Sequence, residues 1–308
     1  MKSFLKKLKK CVTDPRRAVL FLLGKEAVAR LFPDKIYLKI KYRLVMRKKL
    51  NLKTPQTFNE KLQWLKLYDR NPEYTKMVDK YEVRKYIAEK IGEEYLIPLL
   101  GVWDNPDDID FDRLPNQFVL KCTHNSGLGM CICKDKSKLD IEKVKKALKK
   151  GLKQKYYLHG REWPYKNAKP RIIAEKFMKN SLEVNLEDGL IDYKFYCFNG
   201  NPEYAYVSQN LDDHNRASIS YITLEWEQAE FGRRDYRAFE KLPPKPRNLK
   251  KMIELAGIFA NGTKFVRVDF YEINQKIYFG ELTFYPGSGF TTLEPEEWDY
   301  RLGEMIKL

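Results

Sequence analysis

The chain has 308 residues, 43% hydrophobic and 14% aromatic, with no low-complexity tract or internal repeat; this excludes disorder and is enough to bury a sizeable core in one large or two coupled domains. Its formal net charge of +16 is segregated, because residues 1–50 hold 16 lysines and arginines against Asp14, Glu26 and Asp34, a balance of +13, which leaves +3 for the remaining 258 residues. Cys11, Cys122, Cys131, Cys133 and Cys197 are odd in number and contain no CxxC pair, which favours a reducing compartment over a disulfide framework, and with three scattered histidines Cys131 and Cys133 read as alternate strand residues and not as a zinc site.

The front of the chain reads as a basic amphipathic helix, with Phe4, Leu5, Leu8 and Val12 at helical spacing among lysines. The apolar run 18–23 is far too short for a bilayer of about 30 Å. It ends in Gly24-Lys25-Glu26 without a small-residue cleavage site, so a secretory signal does not fit either. Two readings stay open. Residues 1–30 form a surface anchor for anionic lipid, nucleic acid or an acidic polymer, or their apolar side packs on the body.

Thr57 and Glu60 then form a capping box ahead of Phe58, Leu62, Leu65 and Tyr68, which recur on one helical face. These helices read as packing and capping elements without chemistry. A second helix is predicted over 74–91 with Gly92 as its C-cap, followed by a short strand over 94–102 and a Pro- and Asp-rich loop over 105–114. The apolar strand 118–121 ends in Lys121 and runs into THNSGLG, residues 123–129, whose backbone N–H groups can close over phosphates. A lysine-rich helix over 139–157 comes next. Strands are predicted over 172–178, 191–198, 203–209 and 218–224, with Asn199-Gly200 as a turn, then a surface loop over 232–246 and a helix over 247–260. In the last strand pair, residues 265–287, two β-rich runs flank Asn274-Gln275-Lys276. Asp269 and Glu281 can therefore face one another across a hairpin and offer oxygens to one or two magnesium ions. Facing carboxylates are also common as solvated pairs.

The order of a strand lysine, a glycine loop, a Glu175-Lys176 strand, a second lysine strand at Asp192-x-Lys194, then Arg267-x-Asp269 and Glu281-x-Thr283 resembles the ATP-grasp superfamily. Within it the chain is most similar to the TupA-like branch, named for teichuronopeptide synthesis and found among surface-polysaccharide genes. The matching segments are 57–65, Asp79-Lys80-Tyr81 with Val83-Arg84, 118–127, 192–200 and 267–287.

The resemblance implies an α+β ATP-grasp fold, with nucleotide held between two β-containing lobes. It divides the chain into a basic segment 1–50, a helical section 51–115 and a nucleotide-binding and catalytic region 116–308, with ATP and Mg2+ as cofactors. It places Lys121 on the α and β phosphates and makes Lys194 the second phosphate-side lysine, catalytic together with Arg267, while Tyr193 and Phe195 point to the opposite face. Glu175 and Lys176 fall at the adenine hinge, the backbone of 176–178 reading the base edge with Phe177 or Met178 packed on it, and Glu183 falls near the ribose hydroxyls. His124, Ser126 and Gly127 come from the loop toward the γ-phosphate. Read from the residues alone, Lys121 is a strand-end lysine reaching solvent, Lys194 an edge-strand lysine, Glu183 a surface carboxylate and His124 a loop cap. Asp269 and Glu281 are implied metal ligands, with Thr283 where the family often has Asn, so metal binding is kept and a second metal is less expected. Arg267 is implied to stabilise a developing oxyanion, and the turn Pro286-Gly287-Ser288-Gly289 to admit the acceptor.

The activity so implied is a carboxylate-amine ligase that forms an amide through an acylphosphate. Its acceptor would be an acidic sugar of a cell-surface polysaccharide or a lipid-linked saccharide, its amine an amino acid or amino sugar, and its place the cytoplasmic face of the plasma membrane. The alternatives are a phosphotransferase or glycosyltransferase of polysaccharide biosynthesis, for which the loop offers no clear base, and a non-enzymatic basic binding module. A nearly neutral body without a nucleic-acid motif speaks against nucleic acid as partner.

Overall fold

The computed structural model describes residues 14–179, 190–211 and 216–308. Glu183 and the helix expected around Phe4, Leu5, Leu8 and Val12 lie outside the described residues. Asp14 opens helix α1 (Pro15–Leu23) by accepting from the Arg16 N–H, with proline in the first turn where no amide partner is needed. Helices α2 (Glu26–Ala29) and α3 (Asp34–Met46) follow. A small core of Leu23, Ala29, Tyr37, Leu38, Tyr42 and Leu50 joins the three, and Leu158 and Phe290 pack against it from the body.

Helix α4 (Phe58–Tyr68) carries the expected capping box, and Phe58, Leu62 and Leu65 are buried as their spacing predicts. Tyr68 is not: it stands on the last turn, past the core, and is half exposed against Trp64. The helix expected over 74–91 is two helices, α5 (Glu73–Val78) and α6 (Glu82–Ile91). Asp79 makes the break. Its backbone is extended (φ −77, ψ 119), and its carboxylate accepts from the Tyr81 and Glu82 N–H groups at 2.8 and 3.1 Å, which satisfies the start of α6.

Strands β1 (Leu99–Trp103), β2 (Phe118–Cys122), β3 (Cys131–Cys133) and β4 (Ile172–Lys176) form an antiparallel sheet in the order β1-β4-β2-β3. Helix α7 (Ile141–Leu152), capped by Asp140, packs Val144 and Leu148 into one core with Phe118, Leu120, Ile172 and Ala174, and a short helix α8 (Tyr157–Gly160) follows it. The second sheet contains β5 (Asp192–Phe198), β6 (Asn201–Gln209) and β7 (Ser218–Ile222), and, beyond a two-residue strand β8 (Gly232–Arg233), β9 (Phe265–Ile273) and β10 (Lys276–Thr283). Its order is β10-β9-β5-β6-β7, again antiparallel, and β8 pairs with β11 (Leu293–Glu294). Asn274 and Gln275 both take positive φ (52 and 64), the geometry a two-residue hairpin demands. Helix α9 (Leu249–Ala260) covers one face of this sheet, where Met252, Ala256 and Phe259 share a core with Phe195, Val268 and Phe270. The opposite face holds the polar residues described below. Helices and two antiparallel sheets make the fold α+β, as expected.

Helix α10 (Glu297–Met305) locks onto α4 through Asp299, which accepts from the Asn59 backbone and side chain at 3.0 and 2.8 Å. Lys66 of α4 is fully buried. Its Nζ donates to Gln63 Oε1 (3.0 Å), Gly160 O (2.7 Å) and Ser288 O (2.8 Å), and so ties α4 to the turn after β10, whose Gly287, Ser288 and Gly289 all have positive φ. Burial pulls the Lys66 pKa down, against the attraction of Glu162. Lys66→Met leaves two buried acceptors, Gly160 O and Gln63 Oε1, without a donor, each costing about 1–3 kcal/mol, while Gln63 Nε2 still donates to Ser288 O at 3.1 Å. Urea denaturation is expected to show a loss of roughly 2–5 kcal/mol, whereas Tyr68→Ala, on the exposed last turn, should lose less than about 1 kcal/mol.

Candidate active site

A cavity of about 290 Å³ opens between the two sheets. From the first sheet Lys121 donates to Glu175 Oε2 at 2.8 Å, while Arg84 of α6 donates to Glu175 Oε1 at 3.1 Å and to the Ile97 carbonyl at 2.8 Å. An apolar strand can hold Lys121 because the buried Glu175 carboxylate is its partner. The loop after β2 is seated and not free. Gly127 and Gly129 have φ of +81 and +76, and a Cβ on Gly129 would lie 3.0 Å from Gly151 Cα, so the loop backbone rests on α7 where only glycine fits. Asn125 donates to Gly151 O at 3.2 Å and Lys80 Nζ donates to Asn125 O at 2.5 Å, leaving Ser126 and Gly127 on the cavity wall.

The second sheet supplies the opposite wall. Lys194 pairs with Asp269 in register and Arg267 with Thr283. Strand alternation puts Asp192 and Lys194 of β5 on the same face as Arg267 and Asp269 of β9. A bulge between Phe279 and Leu282 slips β10 by one residue and brings Glu281 beside Asp269; Gly280 permits it, since a Cβ there would lie 3.1 Å from Asp269 O. Asp269, only 1% exposed, accepts from Lys194 Nζ at 2.8 Å and from Arg267 Nε and Nη2 at 2.7 and 2.6 Å. Arg267 Nη2 also donates to Glu281 Oε1 (2.8 Å) and Thr283 Oγ1 (3.0 Å), and Lys194 donates to Asp192 Oδ1 (3.0 Å).

Charge is therefore fixed throughout the neutral range. Burial opposes the Lys194 cation, but Asp269 and Asp192 outweigh it and hold its pKa well above the usual lysine value. Burial would raise the Glu281 carboxyl, yet Arg267, Lys194 and Lys80 hold it down at about 2. The Glu281 side chain is 46% exposed at the cavity rim, so solvent screens part of that pull.

Asp269, Glu281 and Thr283 direct oxygens at a single nitrogen of Arg267. Such a donor set suits a hard cation, and Mg2+ takes one or two carboxylates and completes its shell with phosphate and water. Among the described residues no group of three or more His, Cys, Asp or Glu forms an all-protein cage. The residues fit Mg2+ held jointly with a polyphosphate.

Of the residues expected from sequence, Lys121, Ser126, Gly127, Glu175, Lys194, Asp269 and Glu281 come together on the cavity wall, with Arg267 and Thr283 bonded to the hairpin carboxylates. His124 does not reach it: the ring is 3% exposed, Nε2 lies 3.3 Å from Gln154 O, and burial lowers its pKa. Lys176 is exposed with its N–H on Pro98 O at 3.0 Å, and Phe177 and Met178 are half-buried outside the cavity wall. Lys80, Arg84 and Asp192 also line the cavity, though no chemistry was expected of them from sequence. Asp79-x-x-Glu82 inside a helical run is itself a helix-start signal, and it would have shown that Lys80 leaves the helix.

The TupA-like ATP-grasp family model matches residues 60–307. Solved structures similar to this chain include D-alanine-D-alanine ligase of Helicobacter pylori (15% identity, 81% of this chain and 69% of that chain, TM-score 0.41). They also include the Bacillus anthracis D-alanine-D-alanine ligase complexed with ATP (15% identity, 67% and 53%, TM-score 0.37) and the ATP-grasp ligase PsnB with Mg and ADP (10% identity, 79% and 63%, TM-score 0.39). The chain thus spans 53% to 69% of those chains' own lengths. No curated protein matches the chain.

The two hairpin carboxylates should behave differently on mutation. Glu281→Gln, at an exposed position, is expected to abolish metal-dependent nucleotide turnover with less than about 1 kcal/mol lost in stability. Asp269→Asn removes the buried carboxylate charge that two buried cations share and should also cost about 3–5 kcal/mol of stability in urea denaturation. Lys80→Met and Lys121→Met should each weaken ATP binding in calorimetry by about 1.5–3 kcal/mol, the worth of a charge-assisted contact. Unchanged affinity in both would remove them from the phosphate site.

Proposed function

This chain belongs to the TupA-like ATP-grasp family, whose members are ATP-dependent ligases that use Mg2+, and we propose that it joins a carboxylate to an amine. The observation that carries this is the opposed pair of charged walls, Lys80, Arg84 and Lys121 on one side and Lys194 on the other, with Asp269 and Glu281 on the cavity wall and Arg267 bonded to both carboxylates. Phosphoryl transfer asks for neutralised charge and alignment, and these residues supply both.

In the reaction proposed, an oxygen of the acceptor carboxylate attacks the γ-phosphorus of ATP, the bond to the bridging oxygen breaks, and ADP leaves. The amine then attacks the acyl carbon of the acylphosphate, inorganic phosphate departs and the amine proton passes to solvent or base. Asp269 and Glu281, with Thr283 alongside, would hold Mg2+, which would supply neutralisation of phosphate oxygens. Lys121 and Lys80 hold phosphate beneath the loop. Lys194 fixes Asp269, and Arg267 orients both carboxylates while facing the charge that develops on the acyl oxygen. The loop on α7 keeps water from the acylphosphate.

The acceptor we propose is an acidic sugar of a cell-surface polysaccharide, free or lipid-linked, and the amine an amino acid or amino sugar; the TupA-like family name supports this class. Hydroxylamine supplied with ATP and the carboxylate, without amine, should trap the acylphosphate as a hydroxamate, and Arg267→Ala should lower its yield at least about tenfold. Phosphate found stably on a sugar hydroxyl would contradict the ligase and support a phosphotransferase.

A further inference from the structure

We propose that helices α1 to α3 form a surface that docks on an anionic lipid bilayer. Large apolar side chains stand exposed along it: Phe21 and Leu22 on α1, Leu31 at 77% exposure between α2 and α3, and Ile36 on α3. Basic residues interleave with them, and Lys25, Lys35, Lys39, Arg43 and Lys49 make no ion pair among the described residues. On α3 the spacing of Ile36, Lys39 and Arg43 puts them on one face, away from the buried Tyr37, Leu38 and Tyr42.

This face is not needed to hold the helices in place. They are fastened from the other side, by Leu23, Ala29, Tyr37 and Leu38, and by Arg161, which is 3% exposed, stacks 4.2 Å from the Tyr37 ring and donates to Ala29 O at 2.5 Å. The surface is therefore rigidly joined to the catalytic body, and its orientation is set before any membrane is met. Among the described residues no helix is long and apolar enough to cross a membrane, so the docking is peripheral.

The chemistry selects lipid over nucleic acid. A phosphodiester backbone would neutralise the lysines and arginines but leave Phe21, Leu22 and Leu31 in water, whereas an anionic bilayer interface takes headgroup contacts and aliphatic insertion together. Removing residues 1–30 is a poor probe, because it takes Leu23 and Ala29 out of the core. Point substitutions on the exposed face test it.

The test is flotation of the full chain with vesicles of phosphatidylcholine alone, or with roughly one-third phosphatidylglycerol. Binding is expected only to the anionic vesicles, weakened but not lost between about 0.1 and 0.5 M salt, since salt screens the charges and not the insertion. Leu22→Ser with Leu31→Ser, and separately Lys35→Glu with Lys39→Glu and Arg43→Glu, should each reduce binding about tenfold or more at an unchanged melting temperature. Should either set unfold the chain, Phe21→Ser, also at an exposed position, takes its place. Failure of the wild type to bind anionic vesicles, or retention of full binding by both sets, overturns the proposal. So does binding to duplex DNA of equal strength that the serine variants leave untouched.

Discussion

Asp269, a carboxylate only 1% exposed, holds Lys194 and Arg267 in place at once, and the shape of the cavity follows from that triad. Burying one carboxylate among two cations is tolerable only because each partner is hydrogen-bonded, and the remaining positive charge is shared with Asp192 and Glu281. The register fixes the triad: Lys194 lies directly across from Asp269, and Arg267 is two residues along the same strand. A preorganised cationic wall of this kind needs no reorganisation when a polyphosphate arrives. Truncating Asp269 therefore damages stability and chemistry together, while the exposed Glu281 separates the two.

The helical section is part of the site. Asp79 breaks the helix between α5 and α6 so that Lys80 can hold the Asn125 carbonyl and Arg84 can reach Glu175. Residues from before the glycine loop thus fix the loop's seat and the position of Lys121. At the other end Gln63 donates to Gly289 O at 2.6 Å and Lys66 to Ser288 O at 2.8 Å, so α4 holds the left-handed turn that follows Glu281 and Thr283. The first lobe is tied to the start of α6 and the second to α4, two helices of one helical section, which limits how far the lobes can move apart without breaking buried hydrogen bonds.

Much of this was legible in the sequence where one residue type has one physical use. Thr57-x-x-Glu60 gave a helix start, Asn199-Gly200 a turn with φ of 47 and 92, and the β-rich runs around Asn274 a hairpin. Lys121, at the end of an apolar strand, was picked out by its position and lies on the cavity wall, where its partner is Glu175. Three things were not legible. The bulge that sets Glu281 beside Asp269 depends on Gly280 and on a one-residue slip that alternation alone cannot reveal. The burial of His124 involves Gln154, just past α7 and 30 residues along the chain from the loop's own polar sequence. Lys80 was hidden because a local cap at Asp79 overrode a helical pattern that ran past it.

The central claim is that Asp269 and Glu281 hold the metal of a nucleotide bound between the two sheets. Anomalous scattering from Mn2+ in crystals grown with a non-hydrolysable ATP analogue tests it directly. The account predicts a manganese peak about 2.1 Å from oxygens of Asp269 and Glu281, with the triphosphate lying against Lys121 and Lys194. A metal peak coordinated by other residues, or nucleotide bound outside the cavity, would contradict it.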